Sequence, residues 1–309
     1  ENLKIIGITG THGKTSTTAL LSHIFHFNNV NVSYLYGGIT TFNGIGGHYG
    51  DPDQPLILET DEAFNTFEKI KISDLLVLNV DSDHLDYFKN LDNYKDAFYK
   101  VMKNVTDNLV INNDDLNIKS MKELKNPVSY GKDIAADFKV QSPGTFIYEN
   151  NKYEIKSDII GDHFKANMLG AIILALLNGI EIKDSLNAIE SFAGVKRRIE
   201  LIGISKGVLI YDDYGHHPTE MEATITALKQ QTESKLYVVF QPHRYTRTME
   251  YFNSFKDSLK LADFAIVTDI YPAGESPIPG ISSKNFEEES IKYLKSIRYV
   301  PEYLSKKVQ

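Results

Sequence analysis

The chain has 309 residues, of which 42% are hydrophobic and 24% charged, and its formal net charge is -8 with no cysteine. This composition is that of an ordinary globular protein, and the length favours two domains. The acidic balance argues against nucleic-acid and anionic-membrane partners, while the lack of cysteine excludes disulfides and thiolate metal sites. The longest apolar stretch, residues 168–177, is too short to span a bilayer, so we expect a cytoplasmic protein.

The first residues predict a phosphate-binding loop. An apolar run at 5–9 has the length of a buried strand, and apolar residues recur at helical spacing from 19 to 25. Between them stands a turn that opens the helix, made of Gly10, Thr11, His12, Gly13, Lys14, Thr15 and Ser16. Glycines let the backbone approach an anion, the helix N-terminus and the lysine attract it, and the threonine hydroxyl can ligate Mg²⁺. One departure from the general P-loop pattern is Ile8, which stands where a glycine is usual.

Strands and helices alternate along the rest of the chain, which predicts parallel sheets covered by helices. The expected strands lie at 31–36, 56–59, 73–80, 108–112, 208–211, 236–240, 264–268 and 297–300. The expected helices lie at 63–70, 91–105, 114–124, 163–178, 183–192, 219–230, 250–261 and 283–295. Residues 37–55 read as a long loop, and residues 137–156 as a small antiparallel β-hairpin. We therefore predict an α/β protein with a P-loop domain at 1–193 and a second, Rossmann-like α/β domain at 194–309.

Two acidic clusters follow predicted strands of the first domain. One holds Glu59, Asp61 and Glu62, and the other holds Asp81, Asp83, His84 and Asp86. Ligands of parallel α/β sheets bind beyond the carboxyl ends of the strands, and Mg²⁺ bound to nucleotide phosphates takes one or two protein carboxylates. The clusters therefore predict a magnesium site, although acidic residues after strands can also simply cap the next helix.

The second domain carries a denser set of polar side chains at two strand ends. Residues 212–218 and 241–247 contain Asp213, Tyr214, His216, His243, Arg244 and Arg247. Arginines three apart at a helix start can clamp a carboxylate or a phosphate. Near the boundary, residues 196–198 read either as a solvated linker or as part of a nucleotide site. His163 and Asn167 either satisfy a helix N-terminus or hydrogen-bond a base.

These motifs resemble those of the Mur ligases across essentially the whole chain. The matching segments are 9–15, 59–62, 83–86, 194–198, 212–220, 242–248 and 269–275. The P-loop of that family has the short spacing Gly-x-x-Gly-Lys-Thr, which explains why Ile8 stands where the general pattern has glycine. The last three segments resemble those of the branch that adds L-alanine to UDP-N-acetylmuramate in peptidoglycan synthesis. The resemblance implies an ATP- and Mg²⁺-dependent ligase that activates a carboxylate as an acyl phosphate, which the amine of the amino acid then attacks.

The resemblance also implies roles for individual residues. Lys14 would hold the β- and γ-phosphates, Thr15 and Glu59 would serve one magnesium ion, and His84 would help to bind a second. Asn167 would meet the adenine, with His163 nearby, and Arg198 and Asp213 would reach the nucleotide. The L-alanine side of the site would be formed by Tyr214, His216, His243, Arg244 and Arg247.

Some features depart from the family pattern. Phe164 stands where asparagine is usual, and residues 51–55 are an unusual run. From the motif positions we expect that the family's N-terminal UDP-binding domain and a final strand and helix are missing, and that the sequence belongs to a longer protein. We also expect it to retain an ATP–magnesium site while holding UDP-N-acetylmuramate weakly. Two alternatives stay open: a sister ligase that adds a peptide to the same sugar nucleotide or glutamate to folate, and a non-catalytic ATP-binding module.

Overall fold

The computed structural model describes residues 3–40, 44–121, 124 and 126–307. The chain forms two compact units, Glu1–Asp212 (unit 1) and Asp213–Gln309 (unit 2). Residues 41–43 of the predicted loop lie outside the described residues, as does the side chain of Asp86 from the predicted metal site. Among the described helices, none has both the length and the apolar character needed to cross a membrane.

Unit 1 is built on one large sheet. Its strands are β1 (Ile5–Thr9), β2 (Ser33–Leu35), β3 (Gly47–His48), β4 (Leu56–Glu59), β5 (Asp74–Val77), β6 (Asn108–Asn112), β7 (Val128–Gly131), β8 (Phe138–Ser142), β9 (Thr145–Tyr148) and β10 (Asn151–Glu154). They lie in the order β10-β9-β8-β7-β6-β5-β1-β4-β2-β3. Pairing is parallel from β2 to β8 and antiparallel at both edges. The predicted parallel sheet is confirmed, and β1 lies at its centre.

Helices cover both faces of this sheet. They are α1 (Lys14–Phe27), α2 (Leu85–Phe88), α3 (Leu91–Lys103), α4 (Leu116–Lys119), α5 (Asp162–Leu177) and α6 (Ile182–Glu190). One apolar core contains α1, α5 and α6, and a second contains the buried face of α3. Burial of α5 on almost every side is consistent with its continuous apolar run, whereas α1 also buries hydroxyl side chains such as those of Thr17, Thr18 and Ser22. The core therefore holds the P-loop helix firmly against β1.

Three sequence-based predictions for unit 1 change in detail. The predicted hairpin is present as β9 and β10, but with β8 it extends the main sheet instead of forming a separate appendage. The predicted helix at 63–70 is two short 3₁₀ turns, and within the described residues the helix predicted at 114–124 is limited to α4. Strand β7 was not predicted, because its four residues lie within a polar stretch that lacks a clear period-2 pattern.

An antiparallel ribbon ends unit 1. It consists of β11 (Glu200–Ser205) and β12 (Val208–Asp212), which pair with each other across a two-residue turn. The prediction that 208–211 begins the parallel sheet of the second half is therefore wrong: β12 pairs only with β11 among the described strands. Glycine at the turn, Gly207, has a φ of 81°, which suits a tight hairpin connection.

Unit 2 is a smaller α/β unit. Its parallel sheet has the order β13 (Tyr237–Phe240), β14 (Phe264–Val267) and β15 (Ile291–Tyr293), and its helices are α7 (Pro218–Gln230), α8 (Tyr245–Glu250), α9 (Phe252–Leu259) and α10 (Val300–Ser305). Phe240, Phe255 and Phe286 belong to its apolar core. The predicted α/β character of this half is confirmed.

The last predicted elements of unit 2 are wrong. Residues 283–295, predicted as a helix, contain a 3₁₀ turn at Ser283–Phe286 followed by β15, and 297–300 is a 3₁₀ turn leading into α10 instead of a strand. The Ser282 and Ser296 side chains accept hydrogen bonds from Lys284 and Arg298 backbone N–H groups and start the two turns. The residues of β15 have a weak helical preference, but pairing with β14 outweighs it. The hydrogen bonds and side-chain packing of a buried strand stabilise the chain more than local helix propensity does.

Candidate active site

The P-loop conformation depends on two glycines. Gly10 has a φ of 143° and Gly13 a φ of 87°, a region that residues with a Cβ atom rarely adopt. A Cβ atom on Gly13 would also lie 2.4 Å from Nδ2 of Asn167, and one on Gly10 would lie 3.1 Å from the backbone of Asn79. The turn from β1 into α1 therefore requires glycine at both positions.

The side chain of Asn79 holds the loop from the neighbouring strand end. Its Oδ1 accepts a 2.8 Å hydrogen bond from the backbone N–H of His12, and its Nδ2 donates a 2.9 Å bond to the His12 carbonyl. The His12 ring lies 3.0 Å from Oδ2 of Asp81. These bonds set the backbone of the loop before any ligand arrives, which is the preorganisation that anion binding needs.

Lys14 and Glu62 form an ion pair inside the site. Nζ of Lys14 lies 2.8 Å from Oε2 of Glu62 and donates a 2.8 Å hydrogen bond to the carbonyl of Gly10. The Glu62 side chain is 1% exposed, and its burial raises the pKa of its carboxyl group although the charge of Lys14 opposes this. Because Lys14 neutralises a buried carboxylate, its position at the P-loop is fixed by charge as well as by packing.

A buried tyrosine joins this ion pair to the P-loop. The Tyr94 hydroxyl lies 3.0 Å from Oγ1 of Thr11 and donates a 3.2 Å hydrogen bond to Oε1 of Glu62. Thr11 in turn accepts a 2.8 Å bond from the backbone N–H of Asp81. Tyr94 was not predicted as a site residue, since it stands on the apolar face of α3 where the periodicity indicates only core.

Oxygen ligands suited to a divalent cation lie at two positions beside Lys14. Oγ1 of Thr15 donates a 2.8 Å hydrogen bond to Oε1 of Glu59, the predicted magnesium pair. In addition, one ligand atom each from Asp61, Glu62 and His84 lies within 4.8 Å of the others. Carboxylate and hydroxyl oxygens are the ligands that Mg²⁺ prefers, so the oxygen donors of both groups fit the predicted ion, whereas the imidazole of His84 is a less usual magnesium ligand.

The two residues predicted to contact the nucleotide base lie one turn apart on α5 but line different cavities. Asn167 lines a cavity beside α1 together with Ser16, Phe164 and Arg198. His163 instead lines a cavity between the N-terminal end of α5 and the strands β6 to β9. Within unit 1 the structure therefore brings Ser16, Asn167 and Arg198 to one cavity and places His163 at another.

Ring and carboxylate groups cluster at the first strand-end segment of unit 2. Oδ1 of Asp213 accepts a 2.8 Å hydrogen bond from the backbone N–H of Gly215 and so shapes the turn before α7. The ring of His216 lies 5.4 Å from that of Tyr214 and 6.2 Å from that of His243, measured between centroids. The two predicted strand-end segments of unit 2 thus meet.

An arginine–glutamate pair completes this cluster. Nε of Arg244 donates a 2.6 Å hydrogen bond to Oε1 of Glu275, and Thr246 donates two more bonds to the same carboxylate. Burial raises the pKa of Glu275, but these hydrogen bonds outweigh it and lower the pKa to about 2. Burial, followed by the charge of Arg247, lowers the pKa of His243, which favours its neutral imidazole.

Comparison with protein families agrees with this arrangement. A model of the Mur ligase middle domain matches residues 8–175, and a model of the Mur ligase glutamate ligase domain matches residues 197–304. Together the two matches span the P-loop, the strand-end carboxylates and the arginine cluster of unit 2.

Two similar proteins from different organisms have the same name. The UDP-N-acetylmuramate–L-alanine ligase of Dictyoglomus turgidum is 38% identical over 300 residues, which cover 93% of this chain and 64% of that protein. Its counterpart in Caldicellulosiruptor bescii is 37% identical, covering 97% of this chain and 68% of that protein. The chain thus spans about two thirds of the length of these relatives, and slightly less in the Dictyoglomus comparison.

Solved structures share the fold. The UDP-N-acetylmuramate-alanine ligase of Thermotoga maritima superposes with a TM-score of 0.79 at 24% identity, covering 97% of this chain and 69% of that one. The MurF ligase of the same organism, in complex with ADP, has a TM-score of 0.74 at 20% identity and covers 100% and 74% of the two chains. Both family models and the curated relatives point the same way: this chain belongs to the Mur ligase family.

Proposed function

We propose that this chain carries the catalytic part of an ATP-dependent ligase that joins L-alanine to UDP-N-acetylmuramate in peptidoglycan synthesis. The observation that carries the proposal is the meeting of Lys14 and Thr15 of the P-loop with the carboxylates of Glu62 and Glu59. The choice of substrates is supported by the names of the relatives at 37–38% identity. An ADP complex of the related MurF ligase supports the use of ATP.

The first chemical step is phosphoryl transfer. The carboxylate oxygen of the sugar nucleotide attacks the γ-phosphorus of ATP, the bond to the β-bridging oxygen breaks, and an acyl phosphate and ADP form. The N-terminus of α1 at Lys14 turns the positive end of its dipole toward an anion, and the Lys14 side chain supplies a full charge for the β- and γ-phosphates. When ATP binds, the Lys14 ammonium group must give up part of its contact with Glu62 in order to contact the phosphates. The Glu62 carboxylate and the phosphates then share this one cation.

The donor set around Lys14 fits magnesium in two places. Thr15 and Glu59 would hold one ion, and His84 would help to hold a second beside Asp61 and Glu62. When bound, magnesium neutralises phosphate charge and favours transfer. Within the chain itself, the Gly37 N–H donates a 2.6 Å hydrogen bond to Oε2 of Glu59 and so fixes the orientation of that carboxylate.

The second step forms the amide. The amine of L-alanine attacks the acyl carbon, a tetrahedral intermediate forms, and inorganic phosphate leaves with the electron pair while the amine loses its proton. We assign L-alanine to Tyr214, His216, His243, Arg244 and Arg247. A guanidinium that binds the alanine carboxylate holds the amine in place, and the neutral form favoured at His243 leaves one ring nitrogen able to accept a proton.

The remaining assignments concern the nucleotide and the division of the chain. We assign the adenine to Asn167 and the cavity it shares with Ser16 and Arg198, and we retain His163 and Asp213 as proposed nucleotide contacts. We also propose that residues 1–193 act on ATP and residues 194–309 on the amino acid. A cytoplasmic location follows from the proposed substrates, and cell fractionation tests it.

Phosphate release measures the proposed reaction directly. We expect release from ATP to require both UDP-N-acetylmuramate and L-alanine, supplied at millimolar concentration, and to stop when EDTA removes the divalent cation. A panel of amino acids provides the control, and glycine, L-serine and D-glutamate should support slower release. Equal phosphate release with every amino acid, or phosphate release that does not depend on UDP-N-acetylmuramate, would contradict the proposal.

A further inference from the structure

Two exposed aromatic rings lie next to the carboxylates and the histidine of the candidate site. Phe64 is 68% exposed and Tyr87 is 45% exposed, and their ring centroids lie 5.6 Å apart in an edge-to-face arrangement. Phe64 follows Glu62 by two residues, and the backbone N–H of Tyr87 donates a 3.0 Å hydrogen bond to the carbonyl of His84. We call this pair the aromatic platform. The proposed mechanism gives it no role.

The backbone beneath the platform is strained. Phe64, Asn65 and His84 have φ values of 54°, 56° and 54°, a left-handed conformation that bulky residues seldom adopt. The strained turn is held by Asp61, whose carbonyl accepts a 2.6 Å hydrogen bond from Thr66 and whose Oδ1 accepts one from the Ala63 N–H. Strain of this kind persists where the surrounding structure imposes it, and it is concentrated at functional sites.

A row of edge-to-face ring contacts connects the platform to the reacting groups. The Tyr87 ring lies 4.8 Å from that of Phe88, and the Phe88 ring lies 5.0 Å from that of Tyr94. Tyr94 then hydrogen-bonds Glu62, the partner of Lys14. A continuous series of contacts therefore connects the exposed rings with the partner of the P-loop lysine.

We propose that the aromatic platform binds the apolar C–H face of the N-acetylated sugar that bears the reacting carboxylate, an inference that rests on the proposed function. The carboxylate must lie in line with the γ-phosphate near Lys14, so the sugar ring attached to it must lie a few ångströms away. Carbohydrate rings present C–H groups on one face and hydroxyls at the edge, and aromatic side chains offer the complementary apolar surface. Asp61, whose side chain is 58% exposed beside the platform, can accept hydrogen bonds from such hydroxyls.

The other two substrates do not suit these rings. L-alanine has a single methyl group and needs no such area, and the adenine is assigned to the cavity that contains Asn167, between α1 and α5. Stacking contributes specificity for the sugar without contacting the phosphates. The platform residues are therefore positioning residues for the acceptor, and their loss should act on KM for the sugar nucleotide.

Steady-state kinetics of phosphate release test the platform. We expect Phe64→Leu and Tyr87→Leu to raise KM for UDP-N-acetylmuramate roughly 3- to 10-fold, with KM for ATP and for L-alanine unchanged. Phe64→Tyr and Tyr87→Phe, which keep the rings, should restore the wild-type KM. Phe27→Leu is the matched control, since Phe27 is also exposed but lies at the far end of α1. An unchanged KM for the sugar nucleotide in both leucine variants would overturn the inference.

Saturation-transfer NMR with N-acetylmuramic acid tests the platform independently of turnover. We expect transfer from aromatic protons of the wild-type protein to the ring protons of the sugar, and its loss in the Phe64→Leu/Tyr87→Leu protein. If the wild type fails to release phosphate while the transfer is present and platform-dependent, the proposed function is wrong and the sugar site remains. Transfer that persists in the double variant contradicts the sugar site, whatever the turnover shows.

Discussion

The ion pairs at the strand ends of unit 1 and of unit 2 differ in their exposure to water and in the residues that support them. In unit 1 the Lys14–Glu62 pair is almost removed from water and is tied to the P-loop by Tyr94. In unit 2 the Arg244–Glu275 pair is more accessible, and Thr246 donates two hydrogen bonds to its carboxylate. Buried pairs are costly to break, whereas accessible pairs exchange partners readily. The comparison suggests a rigid phosphate site and an adjustable carboxylate site.

Removal of the P-loop lysine is the strongest test of the rigid site. We expect Lys14→Ala to lower phosphate release roughly 10²- to 10³-fold, because the transferred phosphate loses its main side-chain charge. The same change leaves the buried Glu62 carboxylate unpaired and should lower the free energy of unfolding by about 3 kcal/mol. Urea unfolding and phosphate release measure the two effects.

A double variant separates these two effects of the lysine. Lys14→Ala/Glu62→Gln removes the unpaired charge, so it should recover most of the stability while phosphate release stays low. Release within tenfold of wild type in either protein would show that the rigid site does not depend on Lys14.

We expect a change at the adjustable site to act mainly on substrate binding. We expect Arg244→Ala to lower kcat/KM for L-alanine roughly 10- to 100-fold, the equivalent of a lost charged hydrogen bond of about 1.5–3 kcal/mol. KM for ATP should stay unchanged. Lys256→Ala is the control, because it breaks a comparable ion pair with Glu288 elsewhere in unit 2. A larger effect on ATP than on L-alanine would reverse the assignment of the two regions.

Removal of the Tyr94 hydroxyl tests whether its hydrogen bonds serve the candidate site or only stabilise the core. We expect Tyr94→Phe to lower the free energy of unfolding by about 1–2 kcal/mol and to raise KM for ATP several-fold. Tyr36→Phe removes a similar 3.0 Å bond, to Thr40, and should lower stability without changing KM for ATP. Equal kinetics in the two variants would show that Tyr94 supports only the core.

The smallest expected effect concerns the acid stability of unit 2. The pKa of Glu275 is about 2 in the folded chain, below its usual value of 4.5, so its stabilising contribution is present above about pH 4.5 and is lost as the pH falls toward 2. The stability difference between wild type and Glu275→Gln should therefore shrink between those pH values. Urea titrations at pH 6, 4 and 3 measure it, and a difference that is constant across this range would contradict the prediction.

Local patterns predicted the P-loop and most strands of unit 1, because a strand, a glycine turn and a helix are all encoded within a few residues. Glu59 and His84 were predicted at strand ends for the same reason, and the structure places them beside Thr15 and Glu62, while their role as metal ligands stays a prediction. Tyr94 was not, since a tyrosine on an apolar helix face gives no sign that its hydroxyl will meet Thr11 and Glu62 from distant segments.

Long-range pairing also decides the elements that were predicted wrongly. β15 has a sequence compatible with a helix and becomes a strand only because β14 is available beside it. β12 has the pattern of a core strand of unit 2, yet it pairs with β11 through a turn of two residues. In both cases the partner strand supplies information that the segment itself does not contain.

The short distance between Gly13 and Asn167 limits how this loop can be altered. Any side chain at position 13 would collide with the amide of Asn167 on α5, and its residue would also have to adopt a φ of 87°. A smaller residue at position 167 would remove the collision but not the backbone strain, so a laboratory effort to alter this loop has to leave Gly13 in place. A library that varies residues 10–16 alone should return glycine at position 13 in every functional clone.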